Sequence, residues 1–170
     1  MNSRHFILPG IFFLFTGIFS ACMEKEDYPD VPAIQYVSFT KISNGSGIDE
    51  KGILKISFTD GDGNIGLSDQ DTFPPYNIGS QWYYNFFINY YERQHGVLTK
   101  IDLPFTLNAR IPPIEGSGPN HPTKGEIEIE LYFNNPLSVY DTIVFEASIC
   151  DRLLQMSNQV RSGDIIVKKH

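Results

Sequence analysis

The stretch Glu126-Ile127-Glu128-Ile129-Glu130-Leu131-Tyr132-Phe133 alternates hydrocarbon and polar side chains, and its reading decides the fold. Successive side chains of a strand point to opposite faces. Ile127, Ile129, Leu131 and Phe133 therefore share one face and the three glutamates the other. Residues 141–150 repeat the pattern with Ile143, Phe145, Ala147 and Ile149 on one side. Further strands are expected at 34–42, 52–59, 82–92, 97–103 and 164–168, with an irregular edge strand at 105–111 between Pro104 and Pro112. Gln94-His95-Gly96 reads as the tight connection of a hairpin. No window carries a helical stripe, and glycine and proline number 14 and 11. About seven to eight short strands separated by such turns make an all-β chain, an antiparallel sandwich or barrel.

Upstream of the strands, Met1-Asn2-Ser3-Arg4-His5 is basic and residues 6–19 are apolar, though interrupted by Pro9, Gly10 and Gly17; Ser20-Ala21 precede Cys22. These are the three regions of a secretory signal peptide. The apolar run falls short of the roughly 20 residues that a spanning helix needs. Residues 22–33 are charged and hold two prolines, a composition that cannot bury enough apolar surface to order itself. The expected organisation is a signal peptide at 1–21, a flexible acidic tether at 22–33 and one β domain at 34–170.

The net charge of −7 becomes −8 when Arg4 leaves with residues 1–21. That balance excludes nucleic acid, whose phosphates demand a basic surface. It equally excludes electrostatic attachment to anionic lipid. The chain has two cysteines, Cys22 and Cys150. If Cys22 is modified, Cys150 is a small apolar residue without a partner. The alternative is a Cys22–Cys150 disulfide, which an exported compartment permits.

Ile18-Phe19-Ser20-Ala21-Cys22 resembles the lipobox of bacterial lipoproteins, with Phe19 where leucine is usual. The resemblance implies that the Cys22 thiol receives a diacylglyceryl group and becomes the new N-terminus. The protein would then hold its membrane through that lipid, two or more acyl chains giving stable attachment. Asp60-Gly61-Asp62-Gly63-Asn64-Ile65-Gly66 is similar to a phrase in exported lipoproteins of the Bacteroidota. Glu24, Glu26 and Asp27 resemble their acidic surface-export signal. An outer-membrane, surface-exposed location is what this likeness implies. Asp151-Arg152, a loop holding Ser157-Asn158 and a last strand resemble the close of bacterial immunoglobulin-like and fibronectin-like modules. An immunoglobulin-like sandwich is therefore the expected fold, although the Cys…Trp…Cys signature of antibody domains is absent.

Two segments offer sites. In the loop after the second strand, Asp60, Asp62 and Asn64 alternate with glycines, and Asp69 and Asp71 follow; together their oxygens could hold Ca²⁺. The EF-hand pattern fails, because Ile65 stands at its glycine and Asp71 at its glutamate. The plainer reading is a polar turn whose side chains bond their own backbone. In the aromatic run 82–91, Trp82, Tyr84, Phe86, Ile88 and Tyr90 read as core. On the opposite face Tyr83, Phe87 and Tyr91, mixed with Asn85 and Asn89, could stack on a glycan; aromatics are also strong strand formers.

No histidine among His5, His95, His121 and His170 has zinc spacing, and no nucleophile elbow or phosphate loop is present. The expectation is a lipid-anchored, non-catalytic envelope module with a binding or accessory role, its ligand open and its partner a glycan or an envelope protein. A surface glycan-binding protein using the aromatic run 82–91 is one alternative. A calcium-dependent module, or a hydrolase centred on the 60–71 loop, is the other. Oligomeric state is not readable from the chain.

Overall fold

The computed structural model describes residues 27–114, 118 and 121–169. The elements are β1 (Ala33–Ile42), β2 (Lys51–Asp60), β3 (Phe86–Gln94), β4 (Val97–Lys100), β5 (Thr123–Tyr132), β6 (Thr142–Ile149), β7 (Val160–Arg161) and β8 (Ile165–Ile166). One sheet has the order β1-β2-β5. The other has β4-β3-β6-β7, with β8 continuing the last position against β6. All pairings are antiparallel. The molecule is the expected all-β antiparallel sandwich, with eight strands among the described residues.

Alternation builds the core between the sheets. Leu54, Ile56 and Phe58 of β2 face Phe86, Ile88 and Tyr90 of β3 and Ile143, Phe145, Ala147 and Ile149 of β6 across it. On β5 the core residues are Ile127, Ile129 and Leu131, while Glu126, Glu128 and Glu130 stand outside. There Lys51 pairs with Glu130, and Lys55 with Glu126 and Glu128. The central strand β6 is buried on both faces, so its outward-pointing Glu146 is 6 % exposed. Arg161 and the Tyr91 hydroxyl satisfy that carboxylate.

Three expectations need correcting. The aromatic strand begins at Phe86 rather than residue 82, because Trp82, Tyr83 and Tyr84 belong to the preceding loop. The segment 105–111 forms no strand; a single bridge joins Ala109 to Phe86. The last expected strand, 164–168, is shortened to β8, and the short β7 before it lies outside the expected strands. In addition, the C-terminal part of the expected tether is seated on the domain. Gly61 N–H donates to the Pro29 carbonyl, and Pro32 is fully buried. The β3–β4 hairpin turns at His95 and Gly96, both with positive φ, as a two-residue primed turn requires. Among the described residues no helix is long and apolar enough to cross a membrane.

The antiparallel strands divide the loops between two ends. The chain enters β1 at the end where β2 and β6 finish, and β5 finishes at the other end. A packing constraint links the sheets: a Cβ on Gly52 would lie 2.3 Å from the Phe39 ring. That ring packs edge-on against Phe133 and beside Phe145. Gly52→Ala should therefore cost about 1–3 kcal/mol by overpacking, measured as a lower midpoint in urea at unchanged slope. An unchanged midpoint would show that Phe39 moves aside freely.

Candidate metal centre

The buried row of β2 runs Gly52, Leu54, Ile56, Phe58 and then Asp60, so a carboxylate occupies the last inward position. In β6 the row Ile143, Phe145, Ala147, Ile149 has the same parity as Asp151, just past the strand end. The two rows thus end in facing acids, one from each sheet. Asp62, in the turn after β2, joins them. One carboxylate oxygen from each of Asp60, Asp62 and Asp151 lies within 4.8 Å of the other two.

Hydrogen bonds account for only part of this cluster. Asn64 N–H donates to Asp60 Oδ2 at 2.9 Å, and Asn64 Nδ2 donates to Asp62 Oδ2 at 2.6 Å. Gln155 donates to both oxygens of Asp151, from its backbone N–H at 2.7 Å and its Nε2 at 3.1 Å. Asp60 Oδ1 and Asp62 Oδ1 are shielded from solvent and accept no hydrogen bond among the described residues. Burial, then the charge of Asp62, pushes the Asp60 carboxyl up to about 6, against the lowering effect of the Asn64 N–H. Burial raises Asp151 as well.

The glycines serve packing rather than ligation. A Cβ on Gly61 would lie 2.1 Å from the Tyr28 carbonyl oxygen, and one on Gly63 would lie 2.1 Å from that of His121. Gly63 also holds a φ of +68°. The loop is therefore threaded between the incoming chain and the segment before β5.

The expected ligand set is redrawn. Asp60, Asp62 and Asn64 converge, Asn64 by bonding to the two carboxylates and by accepting Arg152 N–H through its Oδ1. Asp69 is exposed and outside the cluster. Asp71 is bound elsewhere: Arg152 grips both its oxygens at 2.7 and 2.8 Å, and Ser68 donates to it twice. Arg152 consequently holds the Asp71 carboxyl well below the ordinary range. The residue missed in the sequence is Asp151. Its signal was parity, since it extends the inward row of residues 141–150.

The three aromatic candidates do not form one row. Tyr83 lies in the loop, stacked on Arg110 and beside Tyr84. Phe87 meets the edge of Trp82, and Tyr91 bonds Glu146 under Arg161. All three are half-buried. Cys150 is buried and unpaired among the described residues, its thiol pushed up to about 12 by burial. Cys22 lies outside the described residues, as does the disulfide alternative that involves it.

Comparison with protein-family models, with curated proteins and with solved structures found no match.

The Asp71–Arg152 pair supplies a pH test of the loop. A carboxyl whose folded pKa lies below its unfolded value stabilises fully above about pH 4 and loses that contribution as pH falls further. Asp71→Asn should cost about 1–2 kcal/mol at pH 7, discounted for the exposure of Arg152, and clearly less at pH 2, where part of the ion pair's contribution is already lost. Thermal melts of both proteins at the two pH values check this. A deficit that persists unchanged at pH 2 would contradict the ion-pair account.

Proposed function

We propose that this chain is an exported, lipid-anchored, non-catalytic module that binds an envelope protein through the end of the sandwich farthest from its anchor. The observation that carries the reading is a rigidly held apolar loop at that end. Leu137 and Val139 are 88 % and 90 % exposed. The loop bearing them is nonetheless pinned from beneath. Buried Glu92 accepts from Asn135 Nδ2 at 3.2 Å and Ser138 Oγ at 2.7 Å. Lys169 Nζ donates to the carbonyls of both Asn135 and Ser138. Ordering this loop before contact reduces the entropy lost on binding.

Next to Leu137 lies a cleft of about 160 Å³ lined by Leu103, Pro104, Phe105, Tyr132 and Pro136. Phe105 and Tyr132 are themselves more than half exposed. A lining of aliphatic, proline and ring carbons suits an apolar protein segment better than a sugar, whose hydroxyls need convergent donors and acceptors. The glycan reading is the weaker one, because the rings at 83, 87 and 91 are separated and each is already engaged.

The lipid supports the same arrangement. Its attachment would be Cys22, and the chain enters β1 at the end opposite the cleft. Anchoring there leaves the apolar end facing away from the membrane. Labelled palmitate should enter the wild type and not Cys22→Ala, and the variant should leave the membrane fraction. Label retained by Cys22→Ala would defeat the anchoring claim. For the surface, Leu137→Glu with Val139→Glu should change stability by less than about 0.5 kcal/mol while abolishing photo-crosslinks from position 105 to envelope proteins. Crosslinks surviving the double variant would place binding elsewhere.

A further inference from the structure

We infer that Asp60, Asp62 and Asp151 form a binding site for a divalent cation with oxygen ligands, and that calcium is the ion it takes. The cluster alone would not carry this, since acids often share a loop without a metal. The second observation is Asp60 itself. It is 0 % exposed, and its Oδ1 has no donor among the described residues. A buried oxygen left without a partner is costly and needs an occupant. Asp62 Oδ1 is shielded and unpartnered as well, so both acids of the turn present free lone pairs beside the buried Asp151.

The donor set selects the metal. All three ligands are carboxylates, which suits hard cations; zinc favours the nitrogen and sulfur of His and Cys. Magnesium keeps most of its waters and is usually held by one or two carboxylates. Three carboxylates within 4.8 Å are better matched by calcium, which takes six to eight oxygens in flexible geometry and can complete its shell with water. The two guanidinium groups of these loops do not supply the missing positive charge. Arg152 is spent on Asp71, and Arg110 donates to the carbonyls of Ser68, Asp71 and Tyr83.

The ion's place in the fold suggests its role. Asp60 ends β2 of the β1-β2-β5 sheet with Asp62 in the turn just after it, and Asp151 follows β6 of the other. A cation between them bridges the sheets at the end of the core where the chain enters and Gly61 meets Pro29. It would brace the sandwich as a disulfide does in other folds, without needing cysteines.

The test uses the full chain in detergent, stripped with EDTA and dialysed against ⁴⁵Ca²⁺ at pH 7.5. One ion should bind per chain, half-saturating at about 10⁻⁴–10⁻³ M as in other extracellular modules. A hundredfold excess should raise the melting temperature by about 5–10 °C. Asp151→Asn keeps the acceptor for Gln155 but should lose at least tenfold in affinity and most of the melting shift. Asp69→Asn, outside the cluster, should keep both. Asp60→Asn is the harsher variant, and Asp151→Asn keeps the question decidable if it fails to fold. Folded wild type that binds no calcium, or binding and shift unaltered in Asp151→Asn, would overturn the site and leave a shared proton as its occupant.

Discussion

A carboxylate on the inward face of a strand is the constraint on which this end of the molecule depends. Asp60 follows Leu54, Ile56 and Phe58 on the same face, so β2 cannot bury its hydrocarbon without carrying the acid in with it. Asp151 arrives from β6 in the same manner. Two inward acids without a counter-ion cost several kcal/mol between them, more than most single contacts contribute. The surrounding loops are arranged in answer to that cost. Asn64 turns its N–H and its amide to Asp60 and Asp62, and Gln155 turns both of its donors to Asp151. The glycines at 61 and 63 let the turn be pressed between the incoming chain and the His121 backbone.

The two ends of the sandwich are therefore built on different physics. One is closed by charge: the acids, the Asp71–Arg152 pair and Arg110 reaching four carbonyls. The other is closed by hydrocarbon and by Glu92, whose buried carboxylate organises the 135–138 loop from below. Where strands only alternate between ends, the chain's entry and the exposed Leu137 and Val139 necessarily fall on opposite sides. That separation would leave the proposed N-terminal attachment and the proposed distal contact surface mutually unobstructed.

Much of the fold was legible because period two is a local property. Residues 127, 129 and 131 on β5 and 143, 145, 147 and 149 on β6 lie inward as their spacing required, and the His95-Gly96 hairpin needed only its own dipeptide. Trp82, Tyr83 and Tyr84 misled because aromatic rings satisfy a strand pattern wherever they can be covered. Here loop packing covers them, with Tyr83 on Arg110 and Trp82 on Phe87. The acidic site was half legible for the same reason. Asp60, Asp62 and Asn64 are neighbours in sequence, whereas Asp151 is brought to them by the packing of one sheet on the other. Asp69 and Asp71 have the right chemistry but the wrong direction, and Arg152 claims Asp71 first.

Asp151 and Arg152 show how one turn divides two opposing electrostatic tasks. The turn after β6 sends its acid inward, to a cluster with no guanidinium of its own, and its base outward, to Asp71. Had Arg152 reached the cluster instead, it would have neutralised Asp60 directly, and Asp71 would have remained solvated. The bidentate grip on Asp71 and the Arg152 contact to the Gly66 carbonyl hold the guanidinium away. If the proposed cation site is filled, an inward charge left for a diffusible partner, while a neighbouring cation is held aside, would make the closure of this end depend on the medium. Leu and Val at the same inward positions would have closed it permanently. On that proposal the acids exchange a fixed hydrophobic closure for one that responds to ions.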